Sequence, residues 1–182
     1  MRALLARVRR AWPTAAVHPD PDAMEHIDET ALPAPSERRA SASREVAAPA
    51  GVVFELIADP ARQPEWDGND NLSVARPDQR VTAAGDVFVM TLTKGEDREN
   101  RVVEFEEGRL IAWMPGMPRE EPFGQLWRWE VEGDDEGGCR VTHTYDWTAL
   151  TDPKRVQKAL RTGEEQLRAS IDRLAELAER QG

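Results

Sequence analysis

Two runs of alternating apolar and polar residues lie between residues 126 and 147, and they form the clearest pattern in the chain. A period of two is typical of strands with one buried face, and the Gly- and Asp-rich segment 133–138 is typical of a hairpin loop. The register that buries both apolar faces sets Val131 opposite Val141, Trp129 opposite His143 and Trp127 opposite Tyr145. The sequence therefore predicts a hairpin with one polar face and one almost entirely aromatic face.

Weaker alternation predicts five more strands, over residues 41–47, 71–76, 86–93, 99–106 and 109–114. The segment 94–98 is predicted to be a hairpin loop with Lys94 opposite Glu99. This register places two apolar pairs on one face of the sheet, Met90 with Val103 and Phe88 with Phe105. The strand over 109–114 keeps two alternative facings, because the turn before it has either two or three residues.

Helical spacing of apolar residues appears in three places. Pro49 precedes a short apolar stripe that ends at Asp59-Pro60, and a further helical turn is predicted over residues 62–66. Near the C-terminus, Thr151 or Asp152 caps a long helix that begins at Pro153. The apolar stripe of this helix consists of Val156, Leu160, Leu167, Ile171, Leu174 and Ala178.

Gly163 interrupts that stripe in the middle of the predicted helix. A glycine in a helix interior costs about 1 kcal/mol relative to alanine, so its presence requires a reason. Either the missing side chain leaves room for a ligand, or the glycine reflects neutral sequence drift or permits a slight kink; the sequence favours neither interpretation.

The prolines and polar residues of the N-terminal region predict a disordered extension over residues 1–40, followed by one folded domain over 41–182. Residues 1–12 are typical of a short basic helix. This helix is interpreted as a frayed tail, with a membrane-surface contact as the alternative. Whether Met1 or Met24 is the true start stays open.

The formal net charge is −10, and all of the excess acid lies after residue 44. Because phosphate repels such a surface, nucleic-acid partners are not expected. No stretch reaches the roughly 20 apolar residues that cross a bilayer. The single cysteine, Cys139, is expected to be a small core residue, and the absence of an internal disulfide fits a cytoplasmic location.

The segment from Asp67 to Asn71 has alternate oxygen-bearing side chains, as calcium loops do. Leu72, however, stands where such a loop needs glycine, and no flanking pair of helices is predicted. We interpret the segment as the turn that leaves a helix. The three histidines and one cysteine offer no metal-ligating cluster, so neither a metal nor another cofactor is expected.

The order of the predicted elements resembles the Bet v 1/START-like superfamily, and in particular the polyketide cyclase/dehydrase-like group of SRPBCC proteins. The resemblance covers about residues 41–180 and rests on Ala48-Pro49, Val53-Phe54, Asp59-Pro60, Pro64 to Gly68, Glu104-Phe105 to Trp113 and Arg140 to Trp147. It implies an α+β, helix-grip fold, in which a curved antiparallel sheet wraps a long C-terminal helix around a ligand-sized cavity. The superfamily has diverse functions, so the fold alone does not imply one.

The aromatic face of the hairpin is the best candidate for a binding site, because large rigid rings with a few polar groups suit a flat apolar ligand. Trp147 belongs to the same face. Within it, His143 and Tyr145 are the candidates for moving protons, with a purely structural role as the alternative for His143. The predicted ligand-binding residues are Trp66, Phe88, Met90, Trp127, Trp129, His143, Tyr145, Gly163 and Leu167.

Three functions follow, in order of preference. The first is binding of a small hydrophobic or aromatic metabolite, lipid or polyketide-like, in the cavity. The second is a cyclase, aromatase or dehydratase acting on such a ligand. The third, a chaperone-activator-like interaction domain, is disfavoured by the charged outer face predicted for the sheet. The sequence leaves open the ligand, whether any reaction is catalysed, and whether the chain is a monomer or a homodimer.

Overall fold

Seven antiparallel strands form one sheet in the order β1-β7-β6-β5-β4-β3-β2. This computed structural model describes residues 32–181. The strands are β1 (Arg39–Val46), β2 (Leu72–Ala75), β3 (Val87–Leu92), β4 (Asp97–Glu106), β5 (Leu110–Gly116), β6 (Leu126–Gly133) and β7 (Cys139–Asp146), and the helices are α1 (Ala50–Ala58), α2 (Gln63–Trp66), α3 (Pro153–Ala159) and α4 (Glu164–Glu179). The chain is therefore an α+β protein with a curved sheet and a C-terminal helix, as the sequence predicted.

The core lies between the sheet and α4. The apolar stripe of α4 is fully buried at Leu167, Ile171 and Leu174, and burial of each such side chain is worth about 1.5–3 kcal/mol. The short helix α1 adds a second buried group, Val53, Phe54, Leu56 and Ile57. Cys139 is buried as well, and burial raises the pKa of its thiol to about 11.

The predicted register of β6 and β7 is confirmed. Val131 pairs with Val141, Trp129 with His143 and Trp127 with Tyr145. The alternate residues form the outer face, where Arg128 binds Glu104 and Glu130 and Arg39 binds Asp146. The aromatic residues therefore face inward.

The predicted register of β3 and β4 is wrong. Phe88 pairs with Asn100 and Met90 with Arg98, instead of with Phe105 and Val103. The cause is a turn shorter than the predicted loop: Gly95 has φ +82°, and the Leu92 N–H donates to the Glu96 carbonyl, so β4 begins at Asp97. Asn100 consequently faces the interior.

A bulge in β4 lies where the pairing shifts between Val102 and Glu104. Val103 is 40% exposed, whereas Val102 is buried. Because the extra residue reverses the facing of the strand, Phe105 returns to the interior and packs edge-on against Phe54 at 6.0 Å.

The C-terminal helix is broken instead of continuous. Asp152 caps α3 by accepting a hydrogen bond from the Arg155 N–H, as predicted. The chain then turns tightly, and Gly163 is the extended N-cap of α4, with its N–H donating to the Gln166 side chain at 2.9 Å. Leu160, predicted to be buried, is 45% exposed in this turn. The stripe therefore belongs to two helices.

Secondary structure is present on the N-terminal side of residue 41, the predicted start of the folded domain. A short 3-10 helix spans Pro35–Glu37, and β1 begins at Arg39. The Arg38 carbonyl accepts a hydrogen bond from the Trp147 N–H, and the Arg38 guanidinium lies 5.8 Å from the Trp147 ring. The predicted basic helix over 1–12, and most of the predicted disordered extension over 1–40, lie outside the described residues.

Candidate functional site

A cavity of about 390 Å³ lies between the concave face of the sheet, α2 and the two C-terminal helices. Seven of the predicted binding residues line it: Trp66, Met90, Trp127, Trp129, His143, Tyr145 and Leu167. Phe88 does not, because it packs behind the wall, edge-on against Trp113 at 5.6 Å. Gly163 does not either, because the helix break places it at the N-cap of α4.

Trp66 and Trp129 form a fixed corner of the cavity. The Trp66 indole N–H donates to the Leu56 carbonyl at 2.8 Å, which ties α2 to the end of α1. Its ring meets that of Trp129 edge-on at 5.1 Å. Both side chains are almost completely buried, so this corner is in place before a ligand arrives.

His143 lies between two indole rings. Its imidazole is stacked on Trp129, with ring centroids 3.7 Å apart, and is 5.6 Å from Trp127. Neither ring nitrogen has a hydrogen-bond partner within residues 32–181, and neither is accessible to solvent. Burial lowers the pKa of His143 to about 3. The nearby Leu167 backbone favours the protonated imidazole and raises the pKa, but burial has the larger effect. His143 is therefore neutral at physiological pH.

Tyr145 is the second polar side chain on the aromatic face. Its ring stacks on Trp127 at 4.1 Å and lines the cavity. Burial raises the pKa of its phenol to about 12, so the hydroxyl stays protonated at neutral pH. The group can donate a hydrogen bond to a ligand but does not act as a base.

The turn after α2 closes one side of the cavity. The Asp67 carboxylate accepts hydrogen bonds from the backbone N–H groups of Asn69, Asn71 and Leu72. These bonds use its acceptor capacity in shaping the turn, and no group of three metal-ligating side chains occurs within residues 32–181. Gly68 presses against α4: a Cβ there would lie 2.2 Å from the Ala169 carbonyl carbon.

Basic side chains lie on the side of the cavity formed by α3 and the turn after it. Arg155, Lys158 and Arg161 line it together with Arg98 of β4. Arg98 is paired with Glu96. The only acidic residue among the lining residues is Asp67. The lining is therefore cationic, although the chain carries a net charge of −10.

Arg155 stacks on an aromatic ring. Its guanidinium carbon lies 3.1 Å from the centroid of the Phe123 ring, in the loop between β5 and β6. Burial lowers the pKa of Arg155 and the positive charge of Arg98 lowers it further, whereas Asp152 and Glu96 act in the opposite direction. Among residues 32–181, no carboxylate lies within ion-pair distance of Arg155.

Sequence reasoning missed several lining residues. Asn100 was hidden by the wrong β3–β4 register, and Trp113 by the unresolved facing of β5. Phe123 and Arg155 carried no signal, because they meet only through the fold: one lies in a loop and the other on a helix that was predicted to be part of a longer one.

The sheet, the inward aromatic face and the partly open cavity define a helix-grip protein. The chain belongs to the family described as "Polyketide cyclase / dehydrase and lipid transport", whose sequence model matches residues 37–179. This membership supports a ligand-binding or cyclase role.

The chain is similar to known proteins both in sequence and in structure. The chain is 34% identical over 114 residues to the uncharacterized protein Rv0088 of Mycobacterium tuberculosis, covering 61% of this chain and 48% of that protein. It thus spans about half the length of the curated relatives that it matches. A Nitrosomonas europaea structure aligns with TM-score 0.61 and 18% identity, over 83% of this chain and all of that chain.

A structure of the Zhui aromatase/cyclase from Streptomyces sp. R1128 aligns with TM-score 0.59 at 18% identity, over 79% of this chain and 94% of that chain. At this identity the likeness shows the fold alone. No helix within residues 32–181 is long and apolar enough to span a membrane.

Proposed function

We propose that this protein binds a small hydrophobic or aromatic molecule in the cavity. One observation carries the proposal: a partly open cavity of about 390 Å³ has aromatic inner walls. A cavity of this size falls in the range of about 300–1,000 Å³ that is typical of small-molecule sites.

Fixed walls support binding without large rearrangement. Trp66 is held by its hydrogen bond to Leu56, and Trp127 is held by its stack on Tyr145. Because these rings are already ordered, a ligand would lose little free energy in ordering them.

The test is a titration with N-phenyl-1-naphthylamine, a neutral fluorophore that brightens in apolar surroundings. Leu92 lines the cavity and is half-buried, so Leu92→Trp adds bulk to the space. We expect this variant to bind the probe at least about tenfold more weakly, as exclusion of an apolar ring predicts. Val87→Trp is the matched control, because Val87 lies on the same strand, is 47% exposed and does not line the cavity.

Two results would refute the proposal. One is a parent protein that does not brighten the probe. The other is equal probe affinity for both tryptophan variants when thermal melting shows that both are folded, since binding would then lie elsewhere.

A second candidate function is proton transfer on a polyketide-like ligand. One observation favours it: the protonated Tyr145 hydroxyl stands at the cavity wall and could polarise a ligand carbonyl. His143 is a poor general base, because its pKa of about 3 lies far below neutral pH and its nitrogens are sealed from the cavity. Loss of turnover in Tyr145→Phe, with probe binding kept, would favour this candidate.

A chaperone-activator-like role has less support. The outer face of the sheet is covered by polar contacts such as Ser43 with Thr142 and Arg128 with Glu104. The strands β1, β7 and β6 therefore offer no apolar patch of the kind that marks protein-docking surfaces, and the exposed valines of the sheet, Val74, Val87 and Val103, lie on β2, β3 and β4.

A further inference from the structure

The cavity has two chemically different parts. The inner wall is aromatic, and the side contributed by α3 and the turn after it carries Arg155, Lys158 and Arg161, called here the cationic rim. None of the three makes an ion pair with a carboxylate of residues 32–181, although Asp152 and Glu96 are near enough to Arg155 to offset part of its charge. Arg98, which also lines the cavity, differs because Glu96 pairs with it.

Arg155 differs from the other half-buried arginines of residues 32–181, because each of those has a carboxylate partner or, for Arg38, a hydrogen bond to the Pro33 carbonyl. Acidic residues outnumber basic ones by 34 to 24, and arginines such as Arg44, Arg80 and Arg173 have carboxylate partners. An unpaired cation that is half-buried is costly unless an anion is supplied from elsewhere. Arg155 is half-buried, and the nearby positive charge of Arg98 adds to that cost, which Asp152 and Glu96 offset only in part.

The N–H donors of Arg155 are available to an incoming oxyanion. Its guanidinium carbon lies 3.1 Å from the centroid of the Phe123 ring, and no acceptor within residues 32–181 takes a hydrogen bond from the guanidinium. A guanidinium can bind a carboxylate with two hydrogen bonds. Lys158 and Arg161 are exposed and add positive charge beside it.

We propose that the ligand is an amphipathic carboxylate, whose apolar part occupies the aromatic cavity and whose anionic end binds the cationic rim at Arg155. This inference rests on the proposed binding function and adds the chemical class of the ligand. A neutral aromatic or aliphatic molecule would fill the same space but leave Arg155 without an anion.

The experiment compares two competing ligands whose alkyl chains have the same number of carbon atoms. Dodecanoate and 1-dodecanol each displace N-phenyl-1-naphthylamine from the parent protein at about pH 8, where the acid is ionised. We expect dodecanoate to bind about tenfold more tightly, as a charge-assisted hydrogen bond predicts. The ratio of the two affinities should fall as sodium chloride is added, because salt screens exposed charge.

Charge-removing variants locate the effect. Arg155→Gln, and separately the double change of Lys158→Gln with Arg161→Gln, should each lower the dodecanoate-to-dodecanol ratio. The double variant changes only exposed side chains, so it keeps the test valid if Arg155→Gln folds poorly. Arg140→Gln is the matched control: Arg140 is exposed, pairs with Glu45 on the outer face of the sheet and should leave the ratio unchanged.

The outcomes distinguish failure of the carboxylate inference from failure of the proposed binding function. If the parent does not bind the neutral probe, the proposed function fails and the inference fails with it. If the probe binds but the two competitors are equal, or if Arg140→Gln lowers the ratio as much as the rim variants do, only the carboxylate inference is overturned.

Discussion

The His143 imidazole lies nearly parallel to the Trp129 indole, with 13° between the ring planes and 3.7 Å between their centroids. The two residues are directly paired across β6 and β7. The stack seals both ring nitrogens of His143 from solvent, which explains why its neutral form is favoured so strongly.

This stack predicts a specific pH dependence of folding. The pKa of His143 is lowered to about 3 in the folded protein, against about 6.5 in an unfolded chain. Between these values the unfolded state binds more protons, so the stabilising contribution is complete above about pH 6.5 and is lost as the pH falls. Between about pH 7 and pH 4.5 the loss should be on the order of 2–3 kcal/mol.

Urea unfolding at a series of pH values measures this effect. His143→Leu should lose less stability than the parent over that interval, because it removes the titrating group. Trp127→Phe alters the neighbouring ring without removing an ionisable group, and should keep the slope of the parent. Parallel curves for parent and His143→Leu would contradict the lowered pKa.

Gly68 should tolerate no side chain. A Cβ at this position would overlap the backbone of Ala169 in α4, and neither backbone segment can move without separating α2 from α4. We expect Gly68→Ala to cost at least about 2 kcal/mol by overpacking. Gly51→Ala is the control, since a Cβ at Gly51 meets nothing within 4 Å; its melting temperature should equal or exceed that of the parent.

Two tryptophans differ in what their indole nitrogens contribute. Trp66 donates a hydrogen bond to the Leu56 carbonyl, whereas the Trp129 nitrogen has no partner within the described residues. Replacement by Phe removes similar ring volume from both sites, but only Trp66→Phe leaves a buried carbonyl unpaired. We expect Trp66→Phe to be more destabilising by about 1–3 kcal/mol in denaturant unfolding. Equal losses would indicate that the Trp66 hydrogen bond has no net value.

The N-terminal boundary can be tested by shortening the chain. A protein that begins at Pro33 keeps the Arg38 carbonyl that accepts from Trp147, and the pairing of Arg39 with Asp146. A protein that begins at Ser41, the boundary predicted from the sequence, loses both. We expect the shorter protein to melt several degrees lower, because each lost hydrogen bond costs about 1 kcal/mol. Identical melting would place the boundary at 41 after all.

Strict alternation made the β6–β7 hairpin predictable. Moving one strand by a single residue would have buried Arg128 or Thr142, so only one register satisfied both faces. The β3–β4 pair lacked this constraint. Val102 and Val103 are equally apolar neighbours, and a bulge at this point lets Phe105 reach the core from a register that the pattern did not indicate.

The break in the C-terminal helix could not be predicted from the sequence for a different reason. The interpretations of Gly163 from the sequence all assume a continuous helix, because the apolar stripe continues at Leu167 with helical spacing. The cationic rim could not be foreseen for a related reason. Arg155 acquires its significance from Phe123, which lies 32 positions earlier in the chain and in a loop.

The break between α3 and α4 also separates the residues that set the charge beside the cavity from the residues that hold α4 against the sheet. The charges of the rim lie within residues 155–161, whereas the buried stripe that holds the sheet lies mainly in α4. Had the helix been continuous, a change that shifted one half would have shifted the other. With Gly163 between them, substitutions in α3 can change the charge beside the cavity without moving α4 against the sheet.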